Sequence, residues 1–262
     1  MSANLPLAGM KIVVTRTPEQ AEPWLRRLKA LGAEARNLPM IELAACAPDA
    51  LDAALDRIAT YDWLAFTSAN AVRFTVRRIR ERGESPRALV ATTQVAALGD
   101  ATREALTAAD VPTVVVGDKA DGHGLADALF RQGKRGKRVL VPAARIGRPE
   151  LVERLRAAGA SVDVVAVYDT LAPRAPDSEL LDALRAGTFD VVVLASPSAA
   201  RNLWNELDGA LHERVRVVCI GPTTMSAAQE QGYRVAATAA EPSIDGLVGA
   251  LLRAPRTAQL GG

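Results

Sequence analysis

Seven hydroxyl or amide side chains stand where an apolar run gives way to a helix start. They are Ser68 and Asn70 after Asp62–Phe66, Thr102 after Val95–Leu98, Ser196 and Ser198 after Asp190–Leu194, and Thr223 and Thr224 after Val217–Ile220. A buried strand that feeds a helix in this way turns free backbone N–H groups and the positive end of the helix dipole toward whatever lies above the turn. The chemistry on offer is anion binding. Two of these turns read alike: Gly99 in VAALGDAT matches Gly221 in VVCIGPTT, and Thr102 matches Thr224. Hydroxyl and amide residues cap helices whatever a protein does, and one helix start contributes only about 0.3–1 kcal/mol toward an anion. Several must therefore converge to hold a polyanion. Arg16 and Arg148 each follow a strand and can bring a guanidinium to the same end. Tyr168, directly after Val162–Val167, is the one phenol near it, either as a hydrogen-bond donor to a ligand or as packing at a domain crossing.

Ordinary catalytic sets are missing. His123 and His212 stand alone, Cys46 and Cys219 form no CxxC or Cys/His metal spacing, and there is no GxSxG, P-loop or GxGxxG after the first strand. This disfavours a hydrolase, an NTPase and a nicotinamide enzyme. The 32 Lys and Arg against 30 Asp and Glu, a formal charge of +2, give no electrostatic case for nucleic acid. The arginines at 73, 77, 78, 80 and 82 space around a helix, and they and the run 131–138 read as solvated faces. The sequence begins without a basic segment leading into an apolar one, and no window reaches the roughly 18 apolar residues of a membrane span. The expected compartment is the cytoplasm, with reduced thiols and no membrane contact.

The elements that must position these residues alternate between strand and helix. Lys11–Thr15 is an apolar strand; Thr17, Pro18 and Gln20 read as a capping box; and Ala21, Trp24, Leu25, Leu28 and Leu31 recur at helical spacing before Gly32. Pro39–Ile41 is an extended link, as is the two-proline segment 169–176. Strand–helix alternation throughout implies parallel sheets covered by helices on both faces. An internal repeat runs through the chain. DWLAFTSANAV sets against DVVVLASPSAA, VAALGDAT against VVCIGPTT, DGHGLADAL against SIDGLVGAL, and KIVVT with Gly32 against RVLVP with Gly159. The expected architecture is α/β, two parallel-sheet, flavodoxin-like lobes, the second inserted into the first and joined to it by two extended linker strands. The outer domain takes residues 1–38 and 172–253, the inserted one 39–171, and 254–262 form a loose tail. Ligand is expected between the lobes, at the C-terminal ends of the strands.

In order along the chain, VVTR (Val13–Arg16), TSAN (Thr67–Asn70), ALGDAT (Ala97–Thr102), VYDT (Val167–Thr170), SPSA (Ser196–Ala199), IGPTT (Ile220–Thr224) and DGL (Asp245–Leu247) resemble the uroporphyrinogen-III synthase family. Each motif is short, but their order and the shared repeat span nearly the whole chain. The resemblance implies closure of linear hydroxymethylbilane to uroporphyrinogen III, with inversion of ring D and loss of water, in tetrapyrrole biosynthesis. It implies no cofactor and no metal. It also implies a monomer that acts on a small molecule, with transient contact to the preceding deaminase. Tyr168 then helps the hydroxyl leave, while Ser68, Thr102, Ser196, Thr223 and Thr224 grip acetate and propionate groups. Asp100, beside the Gly99 turn, and Thr17, ahead of the proline, depart from the family pattern. The reading from another class is a non-catalytic two-lobed module that binds a small anion.

Overall fold

The structure is a computed structural model that describes residues 5–117, 121–132, 138–147 and 149–254. Most of the loose tail expected at the C-terminus, 255–262, lies outside the described residues. Elements follow in chain order: β1 (Lys11–Val14), α1 (Pro18–Ala30), β2 (Glu34–Asn37), β3 (Glu42–Ala45), α2 (Asp49–Leu55), β4 (Trp63–Phe66), α3 (Ala69–Glu81), α4 (Pro86–Leu89), β5 (Gln94–Ala97), α5 (Asp100–Ala108) and β6 (Val115–Val116). Then come α6 (Gly122–Arg131), β7 (Arg138–Ala144), α7 (Glu150–Ala157), β8 (Ser161–Leu171), α8 (Ser178–Arg185), β9 (Val191–Leu194), α9 (Pro197–Glu206), β10 (Arg216–Cys219), α10 (Pro222–Gln231), β11 (Val235–Thr238) and α11 (Ile244–Arg253). The chain divides into two compact units, Met1–Glu42 with Leu171–Gly262 (the outer unit) and Leu43–Thr170 (the middle unit).

The outer unit holds a sheet of order β11-β10-β9-β1-β2, parallel at each of its four pairings. Because side chains alternate along a strand, Ile12 and Val14 pack with Trp24 and Leu28 of α1 and Leu247 and Leu251 of α11. Val13 points the other way, to Leu184 of α8, Leu203 of α9 and Ala228 of α10. Helices therefore cover both faces. Met40 is fully buried in that second layer and its carbonyl accepts from Asn202 Nδ2 at 2.7 Å, so the Pro39–Ile41 link, though neither helix nor strand, is held in the outer unit's core.

The middle unit's sheet runs β3-β8-β7-β4-β5-β6, with β8–β7, β7–β4, β4–β5 and β5–β6 parallel. Leu64, Phe66, Val95 and Leu140 face helices α2, α3 and α5; Trp63, Ala65, Ala96 and Val139 face α6 and α7. Matched through the internal repeat, β8-β7-β4-β5-β6 and β2-β1-β9-β10-β11 are the same sheet order. Only the chain order differs. The β1–β2 pair precedes β9–β11 in the outer unit, whereas its counterpart β7–β8 follows β4–β6 in the middle unit. Gly32 and Gly159, both just past a helix end, adopt φ of +93° and +84°, the left-handed turn that closes a helix.

Four local expectations need correction. Thr17 precedes α1 but its side chain makes no cap bond: the Gln20 N–H that the box requires donates to the Thr17 carbonyl at 3.1 Å, and Gln20 Oε1 accepts from Arg16 Nη2 at 3.3 Å. The strand expected to end at Tyr168 continues to Leu171. The sequence reads 118–124, of which 118–120 lie outside the described residues, and 239–245 as loops, but Asp121 and Ser243 accept from the N–H groups of Gly124 and Gly246, so α6 begins at Gly122 and α11 at Ile244. Gly83 and Pro86 read in the sequence as breakers of the helix that starts near Ser68, yet Pro86, with Ser85 as cap, also opens the short α4.

Candidate active site

In each unit the sheet has a point where successive helices leave toward opposite faces. In the middle unit it lies between β4, followed by α3 on one face, and β7, followed by α7 on the other. In the outer unit it lies between β1, followed by α1, and β9, followed by α9. Open parallel sheets bind ligands outside the strand C-terminal ends at this switch point.

At the middle switch point Ser68 caps α3, accepting from Ala71 N–H at 3.1 Å, and its Oγ lies 3.4 Å from the hydroxyl of Tyr168. Tyr168 reaches this position through an irregularity of its strand. The β7–β8 register runs Pro142 to Val165 and Ala143 to Ala166, then jumps to Ala144 opposite Tyr168, leaving Val167 as an extra residue. Strict alternation would send Tyr168 to the α6–α7 face with Val162. The bulge instead brings both Val167 and Tyr168 into the layer under α2, α3 and α5. There the Tyr168 ring stacks on Phe74 of α3, centroids 5.3 Å apart and planes at 18°, and the Arg77 guanidinium lies 4.5 Å from the centre of the same Phe74 ring. Tyr168 is 8% exposed.

Asn70, in the first turn of α3, accepts from Arg73. Gly99 caps α5 without a side chain, and Thr102, three residues on, is buried. The acidic Asp100 turns to Arg103 on its own helix. An open groove of about 900 Å³ runs between α3 and α5 from Ala69 and Ala101 at the two helix starts, walled by Arg73, Arg77 and Arg80. Three arginines expected as a merely solvated face thus line a concavity that begins beside Ser68. Arg148 lies outside the described residues.

The outer switch point is built differently. Thr15 Oγ1 donates to Val193 carbonyl and accepts from Ala195 N–H, tying the ends of β1 and β9 together. Arg16 follows, its guanidinium 4.3 Å from the Trp24 ring centre and one nitrogen donating to Gln20. Its Nε is buried without a hydrogen-bond partner. Burial lowers the Arg16 pKa from its usual value, though a guanidinium remains a cation at any physiological pH. Ser196 caps α9 through Ala199 N–H at 3.1 Å, with Ser198 half-buried in the first turn. Gly221 caps α10 with extended backbone and open space where a side chain would start. Thr223 beside it is exposed, and Thr224 is buried at 4%.

The structure therefore brings Ser68 and Tyr168 into contact, and sets Arg16, Ser196, Ser198, Thr223 and Thr224 after the adjacent strands β1, β9 and β10. Sequence reasoning missed Phe74, Trp24 and the Val167 bulge. Trp24 alone had a local signal, eight residues from Arg16 on the helix that follows it. Among the described residues no three His, Cys, Asp or Glu side chains group as a metal site, and no helix is long and apolar enough to cross a membrane. What remains is a set of N–H groups, hydroxyls and cations suited to carboxylates, plus one phenol.

Comparison with known proteins gives the family. The family HEM4, uroporphyrinogen-III synthase HemD, matches residues 22–249. The chain belongs to the uroporphyrinogen-III synthase family. A uroporphyrinogen-III synthase of Synechococcus elongatus is 30% identical over 94% of this chain and 96% of its own length. Two solved synthases share the fold: that of Helicobacter pylori at TM-score 0.63 and 18% identity, covering 93% of this chain and 98% of that one, and a mutant form from Thermus thermophilus at TM-score 0.60 and 20% identity, covering 94% and 98%.

Proposed function

We propose that this chain closes hydroxymethylbilane to uroporphyrinogen III, with Tyr168 as the residue that assists departure of the hydroxyl. The lone pair of the terminal pyrrole nitrogen expels that hydroxyl, leaving an electron-poor methylene, and the oxygen departs as water. The substituted carbon of ring D then bonds to the methylene, and breaking and remaking the neighbouring link inverts the ring. Because the linear substrate closes readily without inversion, the enzyme's main task is to hold a flexible polycarboxylate in the one geometry that inverts. Arg16, Ser196, Ser198, Thr223 and the backbone N–H groups around Thr224 suit acetate and propionate groups, as do Ser68, Asn70 and the N–H groups around Thr102. Arg148 is proposed for the same role from its position after a strand.

The observation that carries the assignment of Tyr168 is its hydroxyl 3.4 Å from Ser68 Oγ at the start of α3. Porphobilinogen and its deaminase, incubated with and without this protein and followed by separation of the type I and type III porphyrins, test the function. Type III is expected only with the protein present. Type I alone, formed in the presence of folded protein, would return the chain to a binding role. Tyr168→Phe is expected to lower turnover by less than the roughly 100-fold at the low end of general acid catalysis, without abolishing it, since the leaving group departs with little help. An unchanged rate removes the role.

The two units are proposed to be an outer domain and an inserted one. A cytoplasmic location is proposed, which the free thiols Cys46 and Cys219 support, and a monomeric state is proposed with it. A transient contact with the deaminase is proposed on chemical grounds: a short path leaves less time for unaided closure. Sedimentation of this protein alone, then with deaminase, tests both points.

A further inference from the structure

We propose that Phe74 and the Val167 bulge are positioning devices for Tyr168, and that the hydroxyl acts only because both hold it at the start of α3. The inference rests on the role assigned to Tyr168 above. A strand of strict alternation cannot place Val165, Val167 and Tyr168 in one layer, and the register jump opposite Ala144 is what does so. The bulge selects the face. It does not fix the plane of the ring, because the terminal torsion of a tyrosine is broad.

Helix α3 supplies that second constraint. Side chains on a helix lean toward its N-terminus, so Phe74, six residues and roughly 9 Å of helix beyond Ser68, reaches back toward the cap. Tyr168 thus lies along the first two turns of α3, its ring face on Phe74 and its hydroxyl at Ser68. Ser68 already accepts from Ala71 N–H, which fixes its oxygen, so the phenol meets a stationary partner. Arg77 adds a cation over the Phe74 ring and restrains it in turn. Geometry set before substrate arrives costs nothing at the moment of reaction.

The test is a double-mutant cycle on turnover. Phe74→Leu keeps an apolar side chain and removes the ring face, so it is expected to lower kcat about two- to ten-fold, the range an aromatic pair provides, with KM within about two-fold by the same logic of an unchanged carboxylate grip. In the Tyr168→Phe background, which has no hydroxyl to position, Phe74→Leu is expected to leave kcat unchanged. An equal loss in both backgrounds, or none in either, overturns the inference. A Tyr168→Phe enzyme with normal kcat overturns the underlying role instead, and the two failures are distinct. Should Phe74→Leu not fold, Phe74→Met, flexible and of similar volume, carries the same readings, and Phe74→Tyr should restore the wild-type rate.

Discussion

Strands β1 and β7 start from matching positions of the repeat, yet β1 stops at Val14 while β7 runs on to Ala144. The same contrast holds for their partners: β2 is four residues long and β8 eleven. Where the outer unit's strands stop, the chain turns and presents Arg16 over Trp24. Where the middle unit's strands continue, the extra length carries the bulge and Tyr168. One sheet order therefore bears a cation at one switch point and a phenol at the other. The difference teaches that the scaffold sets the location of chemistry, and the point at which a strand ends sets its kind.

The comparison can be broken, first, through the helix starts that the repeat makes equivalent. In the outer unit a side chain on Gly246 would begin 2.4 Å from Glu241 carbonyl oxygen, with no flexible atom to yield. Gly246→Ala should cost up to about 3 kcal/mol, read as a loss of denaturant midpoint, with hydrogen exchange accelerated in β10 and β11 and unchanged in β4 and β5. Acceleration throughout would mean that the two units do not fail separately.

Alkaline stability gives the next contrast. Burial pushes the Cys219 thiol in the outer core up to about 12 and raises Tyr233 as well, while Tyr61 in the middle core is raised by burial and by its bond to Asp163. A folded pKa above the unfolded one favours the folded state below the unfolded value and loses that contribution as pH climbs toward the folded value. For Cys219 the window opens near pH 8.5 and the loss is about 1.4 kcal/mol per pH unit. Unfolding at pH 8, 9 and 10 should show this slope, and Cys219→Ala should flatten it. A slope unaltered by that substitution would assign the loss to groups other than Cys219 and the tyrosines, whose own contribution begins to fall only near pH 10.

Ser68 and Ser196 make the finest test. Each caps a helix through the third N–H, so each alanine variant should lose about 1 kcal/mol in thermal unfolding. Only Ser68 touches Tyr168, so Ser68→Ala should lower kcat while Ser196→Ala raises KM. The same kinetic change from both would erase the distinction between the units.

Much of this was legible in the chain. The apolar runs and the serines directly after them led to the parallel sheets and to the caps at Ser68 and Ser196, because each depends on residues within four positions of one another, and the repeat showed the same pieces in the same order a second time. The Thr17 box failed on backbone and neighbour: the Gln20 N–H goes to the Thr17 carbonyl and Gln20 Oε1 to Arg16, and no spacing rule weighs that. The bulge at Val167 could not be read, since VAVYDT carries no glycine or proline to mark an irregular strand. Phe74 was invisible as a partner because 94 residues separate it from Tyr168, and only the sheet order brings α3 to β8. Thr102 and Thr224 match across the repeat as expected, but both residues are buried.

The strands β3 and β8 are neighbours, and Cys46 N–H donates to Val167 carbonyl, so the middle unit begins and ends on paired strands. Its residues are contiguous, whereas the outer unit must join Thr15 to Val193 across the whole insert. An unfolded segment of that length imposes a loop-closure entropy that a folded one with adjacent ends removes. Pulse-labelled hydrogen exchange should accordingly find β4 and β7 protected before β1 and β9. In folding terms the insert behaves as a tight turn, and it converts the β1–β9 pairing, the most distant strand pairing among the described residues, into a local one.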